Sequence, residues 1–203
     1  METTDKSLID AHLQGDKMAF AELLRRYGDS ILGYLMAMSP NREQAEDLFQ
    51  ETFKRVHEKA ATFRGTQFKS WLFTIATRVA IDSLRKRKRL SVISLNQKLD
   101  CADSNPRVFL SEDRSGGAVV IADNSCEPSQ EAIRAEQNKQ VRQAIELLPA
   151  KQRATLVLAY YQQLSYPQVA EVLGCSIGTV KTQMYRALRT LAQRLPDISG
   201  GAK

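Results

Sequence analysis

The sequence predicts an all-α protein, two small helical domains joined by a long flexible linker, and three observations carry that prediction. Apolar residues recur at three- and four-residue steps through residues 5–89 and again through 129–195, the period of helices with one buried face. The period-two alternation of a half-buried strand is weak throughout. Between the blocks, residues 91–128 hold Pro106, Gly116-Gly117, Pro128, several Ser and Asn and an excess of acid, with no sustained period, a composition that does not build a core. This divides the chain into a first domain over 1–90, a linker over 91–128, a second domain over 129–196 and a tail over 197–203.

In the first block helices are expected near residues 5–14, 17–38, 42–61 and 70–89. Ser39-Pro40-Asn41 has turn chemistry, and Asn41 with Gln44 has the spacing of a capping box for the third helix. That helix turns Ala45, Leu48, Phe49, Phe53, Val56 and Ala60 toward a core and leaves Asp47, Gln50, Glu51, Lys54 and Glu58 outside, on its own an ordinary solvated face. A break from Thr62 to Lys69, containing Gly65, leads into the fourth helix. At about 100° per residue, Trp71, Thr74, Arg78, Asp82 and Arg85 share one stripe, with Leu72, Ile75, Ala76 and Val79 beside it, and the helix runs into Arg85-Lys86-Arg87-Lys88-Arg89. With Arg64, Phe68 and Lys69 in the preceding loop, aromatic and basic residues converge as a surface for unstacked bases requires. Phe68 taken alone reads as a core aromatic.

The second block predicts helices near 129–147, 150–162, 166–173 and 177–195. Pro167 stands near the first turn of the third of these, where its missing N–H does no harm. Gly174 falls where a helix exits through a left-handed residue, and Ser176 offers an oxygen to cap the last helix. Ile177, Val180, Met184, Leu188, Leu191 and Leu195 form that helix's apolar stripe, and Thr182, Tyr185, Arg186 and Arg189 its polar face. A glycine turn plus a cap, followed by side chains of the kind that touch phosphates and base edges, reads as a helix-turn-helix that binds duplex DNA. The plainer alternative is a helical hairpin with a solvated basic face.

Charge and composition narrow the function classes. The chain of 203 residues has a formal net charge of +6, distributed as +4 over 1–90, −3 over 91–140 and +5 over 141–203, so two basic blocks flank an acidic middle, which suits a polyanionic partner. Cys101, Cys126 and Cys175 have no CxxC spacing and are too few for a disulfide framework. Cys101 and Cys126 fall in the linker, either as spacer thiols or as a redox pair, and Cys175 reads as a small core residue. The longest apolar run, Ile31 to Met38, is far short of the roughly 20 residues that span a bilayer, and the polar start of the chain is unlike a signal peptide. A cytoplasmic protein is expected. His12 and His57 lie in separate predicted helices without a neighbouring ligand or nucleophile motif, and there is no phosphate-binding or dinucleotide fingerprint. Hence no catalytic site, no metal and no cofactor are expected.

These residues resemble a known family, the bacterial extracytoplasmic-function (ECF) sigma factors, the two-domain form of the sigma-70 family. Asp47-Leu48-Phe49-Gln50-Glu51-Thr52-Phe53 resembles the segment that docks on core RNA polymerase. Phe63-Arg64-Gly65 with Phe68, Trp71-Leu72 and Ile75-Ala76 resembles the minus-ten and melting element. Leu148-Pro149-Ala150-Lys151-Gln152-Arg153 with Ala170, Gly174 and Gly178-Thr179-Val180-Lys181 resembles the minus-thirty-five domain. The resemblance implies a polymerase surface of Asp47, Leu48, Gln50, Glu51 and Phe53. It implies a minus-ten surface of Arg64, Thr66, Gln67, Phe68, Lys69, Trp71, Arg78, Asp82 and Arg85, and a minus-thirty-five surface of Ser176, Thr179, Lys181, Thr182, Tyr185 and Arg186. The partners implied are core RNA polymerase, promoter DNA and an anti-sigma factor. Three departures stand out: Arg78 where many members have Asn, Gln168 where an acid is frequent, and Thr182-Gln183 for a commoner Ser-Arg pair.

The competing reading is a helix-turn-helix regulator that binds duplex DNA without joining polymerase. A phosphoreceiver half would need alternating strands and helices, and residues 1–90 read as helices only.

Overall fold

The computed structural model describes residues 4–65, 67–99 and 128–195, and among these the chain is all α. Eight α-helices run in the order α1 (Asp5–Leu13), α2 (Lys17–Met38), α3 (Arg42–Lys59), α4 (Phe68–Leu99), α5 (Pro128–Glu146), α6 (Ala150–Leu156), α7 (Tyr166–Leu173) and α8 (Ile177–Arg194). A 3-10 turn, Ala60–Thr62, closes α3, and a π-helical turn, Val157–Tyr161, extends α6.

Caps set most of the starts. Thr4, Asp16 and Ser176 accept backbone N–H groups of the helices they open, each satisfying a donor that has no partner inside its helix. Asn41 Oδ1 accepts from the Gln44 N–H at 3.0 Å. The Gln44 side chain does not complete the expected box. Its amide instead donates to Ser83 Oγ at 2.9 Å and ties α3 to α4. Around Ser165 a box does close, because its N–H donates to Gln168 Oε1 at 2.8 Å. Helix α4 continues to Leu99, past the expected end near residue 89. No Gly or Pro lies between Phe68 and Leu99 to stop it. Cys101 and Cys126, with most of the expected linker, lie outside the described residues.

In the N-terminal block α2, α3 and α4 pack around Leu23, Ile31, Tyr34, Leu35, Phe53, Val56, Leu72, Phe73 and Ala76, all buried. Tyr34 is fully enclosed, yet its hydroxyl meets Thr77 Oγ1 at 2.8 Å, so its polar tip is satisfied. Helix α1 is clipped to α2 by Asp5, which accepts from Tyr27 Oη at 2.5 Å and pairs with Arg26 at 3.3 Å.

The C-terminal block turns as expected at Gly174, which adopts φ 61°. The apolar stripe of α8 is narrower than its sequence implies. Val180, Met184 and Ala187 are buried and Leu191 is half-buried, while Ile177 and Leu188 are 44% and 52% exposed. Helix α8 packs on α6, α7 and α5, a support narrower than the stripe, so its flanks stay in water.

The two blocks do not stand apart. Helix α7 lies along α4, and α6 with the π-helical turn reaches α2. Ala154, Val157, Leu158, Leu164, Val169, Ala170, Val172 and Val180 belong to the same continuous core as the N-terminal helices.

Candidate nucleic-acid and polymerase interfaces

Helix α8 is held at its start by Ser176, whose Oγ accepts from the Thr179 N–H at 3.1 Å and lies 2.9 Å from Thr179 Oγ1. Both residues are exposed, but their hydroxyls already serve the cap. Thr182 Oγ1 donates to the Gly178 carbonyl at 2.9 Å, which leaves its lone pairs for an outside donor. Lys181, Tyr185 and Arg186 are exposed, as is Arg189 one turn on. No described residue holds the side chain of any of these four in a hydrogen bond or ion pair, so α8 presents three free cations and an aromatic on one side of a capped helix. Such a face takes phosphates and base edges.

The second surface surrounds the entry to α4. Arg64 is exposed, and Thr66 lies outside the described residues. Phe68 is 1% exposed, its ring among Tyr27, Phe63 and Trp71 at 5.3, 5.6 and 5.6 Å. This corrects the expectation that Phe68 faces a base, since a ring with no free surface stacks on nothing from outside. Its place is to seat Trp71, which is half-buried and also packs on Phe63 at 5.3 Å. Along α4, Arg78, Asp82 and Arg85 are exposed, with Asp82 and Arg85 paired at 3.5 Å, a contact that water and salt keep weak.

Two members of this surface are engaged inside the molecule. Lys69 Nζ donates to the Gln162 carbonyl at 2.9 Å. Gln67 Oε1 accepts from Gln168 Nε2 at 3.0 Å. The amide of Gln168 has a fixed sense, because its oxygen must accept the Ser165 N–H and so its nitrogen faces Gln67.

The third surface is the outer side of α3. Asp47 and Gln50 are exposed. Glu51 is half-buried and pairs with Arg55 at 2.7 Å. Leu48 is half-buried, and its carbonyl accepts from the enclosed Thr52 hydroxyl at 2.7 Å. Phe53 is 6% exposed and packs on Phe49 and Phe20 at 4.8 and 6.3 Å. It is a core residue, and its expected role as a polymerase contact is corrected: it fixes α3 from behind.

His12 and His57, separate in the sequence, meet with ring nitrogens 2.9 Å apart between α1 and α3. Among the described residues no three histidine, cysteine or acidic side chains cluster to hold a metal ion. No described helix is long and apolar enough to cross a membrane.

Sequence reading missed three residues. Arg153, 9% exposed, donates through its guanidinium to the carbonyls of Met38, Glu146 and Leu148. Burial pushes its pKa down from the usual arginine range, the charge of Glu146 raises it and that of Arg87 lowers it further. Gln162 donates to the Ser30 carbonyl at 3.2 Å. Gln168 was visible only as a departure from an acidic pattern. No local motif marks a residue whose partners lie a hundred positions away.

Comparison with known proteins places both blocks. The pattern of Sigma-70 region 2 matches residues 23–90, and that of Sigma-70, region 4 matches residues 138–191. The chain is 30% identical over 205 residues to the ECF RNA polymerase sigma factor SigW of Bacillus subtilis, covering 98% of this chain and all of that one. It is 30% identical over 195 residues to the RNA polymerase sigma-H factor of Pseudomonas aeruginosa, covering 96% and 95%. Among solved structures, CnrH in complex with the cytosolic domain of CnrY superposes with a TM-score of 0.63 at 21% identity, covering 97% of this chain and 99% of that one. RpoE in complex with the anti-sigma factor NepR, from Bartonella quintana, gives 0.63 at 24% identity, covering 88% and 97%. These two likenesses speak to the fold.

Proposed function

We propose, from the premise that this chain belongs to the ECF RNA polymerase sigma factors of the sigma-70 family, a division of a sigma factor's work among its three surfaces. The chain directs transcription initiation: it binds core RNA polymerase and promoter DNA, and a regulator that acts without polymerase is not favoured. The residue assignments are our reading. Asp47, Gln50 and Glu51 on α3, with Leu48 beside them, meet polymerase. Arg64, Gln67, Lys69, Trp71, Arg78 and Arg85 meet the melted minus-ten strand, the cations holding phosphates and Trp71 offering the face on which a base stacks, a contact of about 1–3 kcal/mol. Lys181, Thr182, Tyr185 and Arg186 on α8 read the minus-thirty-five duplex, with Arg189 positioned for the backbone. Sigma factors as a family are not enzymes, so the chemistry belongs to polymerase. We extend to this chain the partner class of the NepR complex, an anti-sigma protein. None of this chain's described helices is long and apolar enough to cross a membrane, and we place the chain with polymerase in the cytoplasm.

One observation carries the reading: the two family regions fall in order on one chain that matches a sigma factor along its whole length. The testing experiment is co-elution with bacterial core RNA polymerase on a sizing column at moderate salt. The parent chain is expected to form a stoichiometric complex, and Asp47→Arg with Glu51→Arg to lose it at unchanged helicity. Undiminished affinity in that double variant would remove α3 from the polymerase interface.

A further inference from the structure

Thr155, on α6, is fully enclosed, and its hydroxyl meets two groups at once: the Lys151 carbonyl at 2.8 Å and the amide head of Gln183, on α8, at 2.9 Å. A hydroxyl has one proton and two lone pairs. With Gln183 Oε1 toward Thr155, two acceptors compete for that proton. With Nε2 there instead, the hydroxyl donates to Lys151 and accepts from Gln183, and both bonds are made. Amide oxygen and nitrogen are alike in shape, so the count of satisfied groups sets the sense. The Lys151 carbonyl keeps the proton, because a threonine hydroxyl inside a helix reaches the carbonyl four residues back. Gln183 Nε2 therefore donates to Thr155.

That sense orients the rest of the amide. Of its two N–H groups, one lies on the side of Oε1 and the other on the far side. The far one bonds Thr155, since the near one would bring Oε1 against the hydroxyl's lone pairs. The near N–H and Oε1, a donor and an acceptor side by side, then face away from α6. No other described residue bonds this amide, and Gln183 keeps part of its surface. At about 100° per residue it lies within about 60° of Thr179 and Arg186 on one side and of Val180 and Ala187 on the other. The first pair is exposed and the second buried, so Gln183 stands where the core of α8 meets its reading face. It also belongs to the second turn of α8, and the N-terminal part of such a helix is the part that reaches base edges.

We infer that Gln183 is a further specificity-determining residue of the minus-thirty-five surface: held from behind by Thr155, it presents a fixed donor–acceptor edge to one adenine in the major groove. The inference rests on the reading of α8 as the helix that reads duplex DNA. Adenine offers an N6 donor beside an N7 acceptor, the complement of this edge. Guanine offers two acceptors there, cytosine a donor alone and thymine an acceptor alone, so each leaves one half of the amide unmatched. The anchor matters because a glutamine side chain loses several rotatable bonds when it is ordered. Thr155 orders it before DNA arrives, and contacts made by a preorganised group lose less to that cost. In the sequence Gln183 stood out only as half of the Thr182-Gln183 departure, since its partner lies on another helix.

The test uses the full chain assembled with core RNA polymerase, which selects from duplex DNA randomised over the upstream promoter element. Sequencing of the bound fraction gives the base preference position by position. In the parent, one position is expected to favour adenine about fivefold or more over each other base. Gln183→Ala should flatten that position and leave the others as they are. Gln183→Glu should turn it toward cytosine, because a carboxylate has no proton for N7 and accepts from cytosine N4. Thr155→Val should weaken the adenine preference without changing the base, at an α-helix content equal to the parent's. A Gln183→Ala profile identical to the parent's overturns the inference, and so does an equal loss at every position, which would make Gln183 a support for α8 only. Full adenine preference in Thr155→Val overturns the anchoring. A parent that forms the polymerase complex but selects no upstream base removes the duplex-reading role of α8 and this inference with it. Failure to form the complex at all strikes the sigma reading itself, so the two failures are told apart.

Discussion

At the scale of single residues, the polar groups inside this protein separate into those that fix the fold and those that leave it movable. Tyr34 and Thr77 are of the first kind. Both are enclosed, and they satisfy each other at 2.8 Å, while burial pushes the phenol's pKa far above its usual range. Removing one partner of such a pair costs more than removing both, since the survivor keeps its desolvation penalty. Tyr34→Phe is expected to destabilise the chain by about 1–2 kcal/mol, the low half of the range, because Thr77 can turn its hydroxyl to a carbonyl of its own helix. Tyr34→Phe with Thr77→Val should recover most of that loss, as measured by chemical denaturation of both single variants, Tyr34→Phe and Thr77→Val, and of the double variant against the parent. A double variant at least as unstable as the sum of the singles would show that the pair's packing, not its hydrogen bond, is what counts. Arg153 is of the second kind: its charge is enclosed without a carboxylate bonded to it, which marks a junction between blocks.

At the scale of elements, what could be read from the sequence was what is local. The punctuation at Pro167, Gly174 and Ser176 encodes the turn between α7 and α8, because each residue acts on backbone within four positions of itself. Gly174 takes φ 61°, and a Cβ built there would meet nothing within 4 Å. The glycine is thus required by backbone conformation and not by space. Gly174→Ala is expected to cost about 1–2 kcal/mol, the strain of a left-handed residue with a side chain, and Gly174→Asn less, with the orientation of α8 unchanged in both. A thermal melt of the three chains checks the order, and an alanine variant equal to the parent would mean that the turn relaxes to another geometry. Exposure at Ile177 and Leu188 was not legible, because a helical wheel gives the direction of a side chain but not the width of what covers it. The enclosure of Phe53 and Phe68 was legible, since the helical period turns Phe53 toward a core and Phe68 alone reads as a core aromatic; it is the contact roles implied by the resemblance that their packing on Phe20, Phe49, Phe63 and Trp71 opposes.

For the molecule as a whole, the sequence gives two basic blocks and says nothing of their meeting, because a hydrogen bond from Lys69 to Gln162 leaves no trace in spacing or period. Yet the shared core has a thermodynamic consequence that separates it from two domains on a tether. Val157 and Leu158 of the π-helical turn and Val169 and Val172 of α7 are buried in the same cluster as Leu23, Leu35, Leu72 and Val79 of α2 and α4, so unfolding either block exposes apolar surface on the other. Each block is small and only modestly stable alone, so the free chain should unfold in one transition. In a urea titration, Trp71 fluorescence reports the N-terminal block and far-ultraviolet circular dichroism reports all helices. The two curves are expected to coincide for the parent, the signature of an all-or-none process. Arg153→Met, which removes the anchor on Met38 and also the bonds to Glu146 and Leu148, should pull them apart, with helicity lost in two steps and Trp71 following only one. Two separated transitions in the parent would mean that the blocks contribute nothing to each other's stability. Coincident curves in both chains would mean that the apolar contacts alone hold the blocks together and that Arg153 is not their anchor.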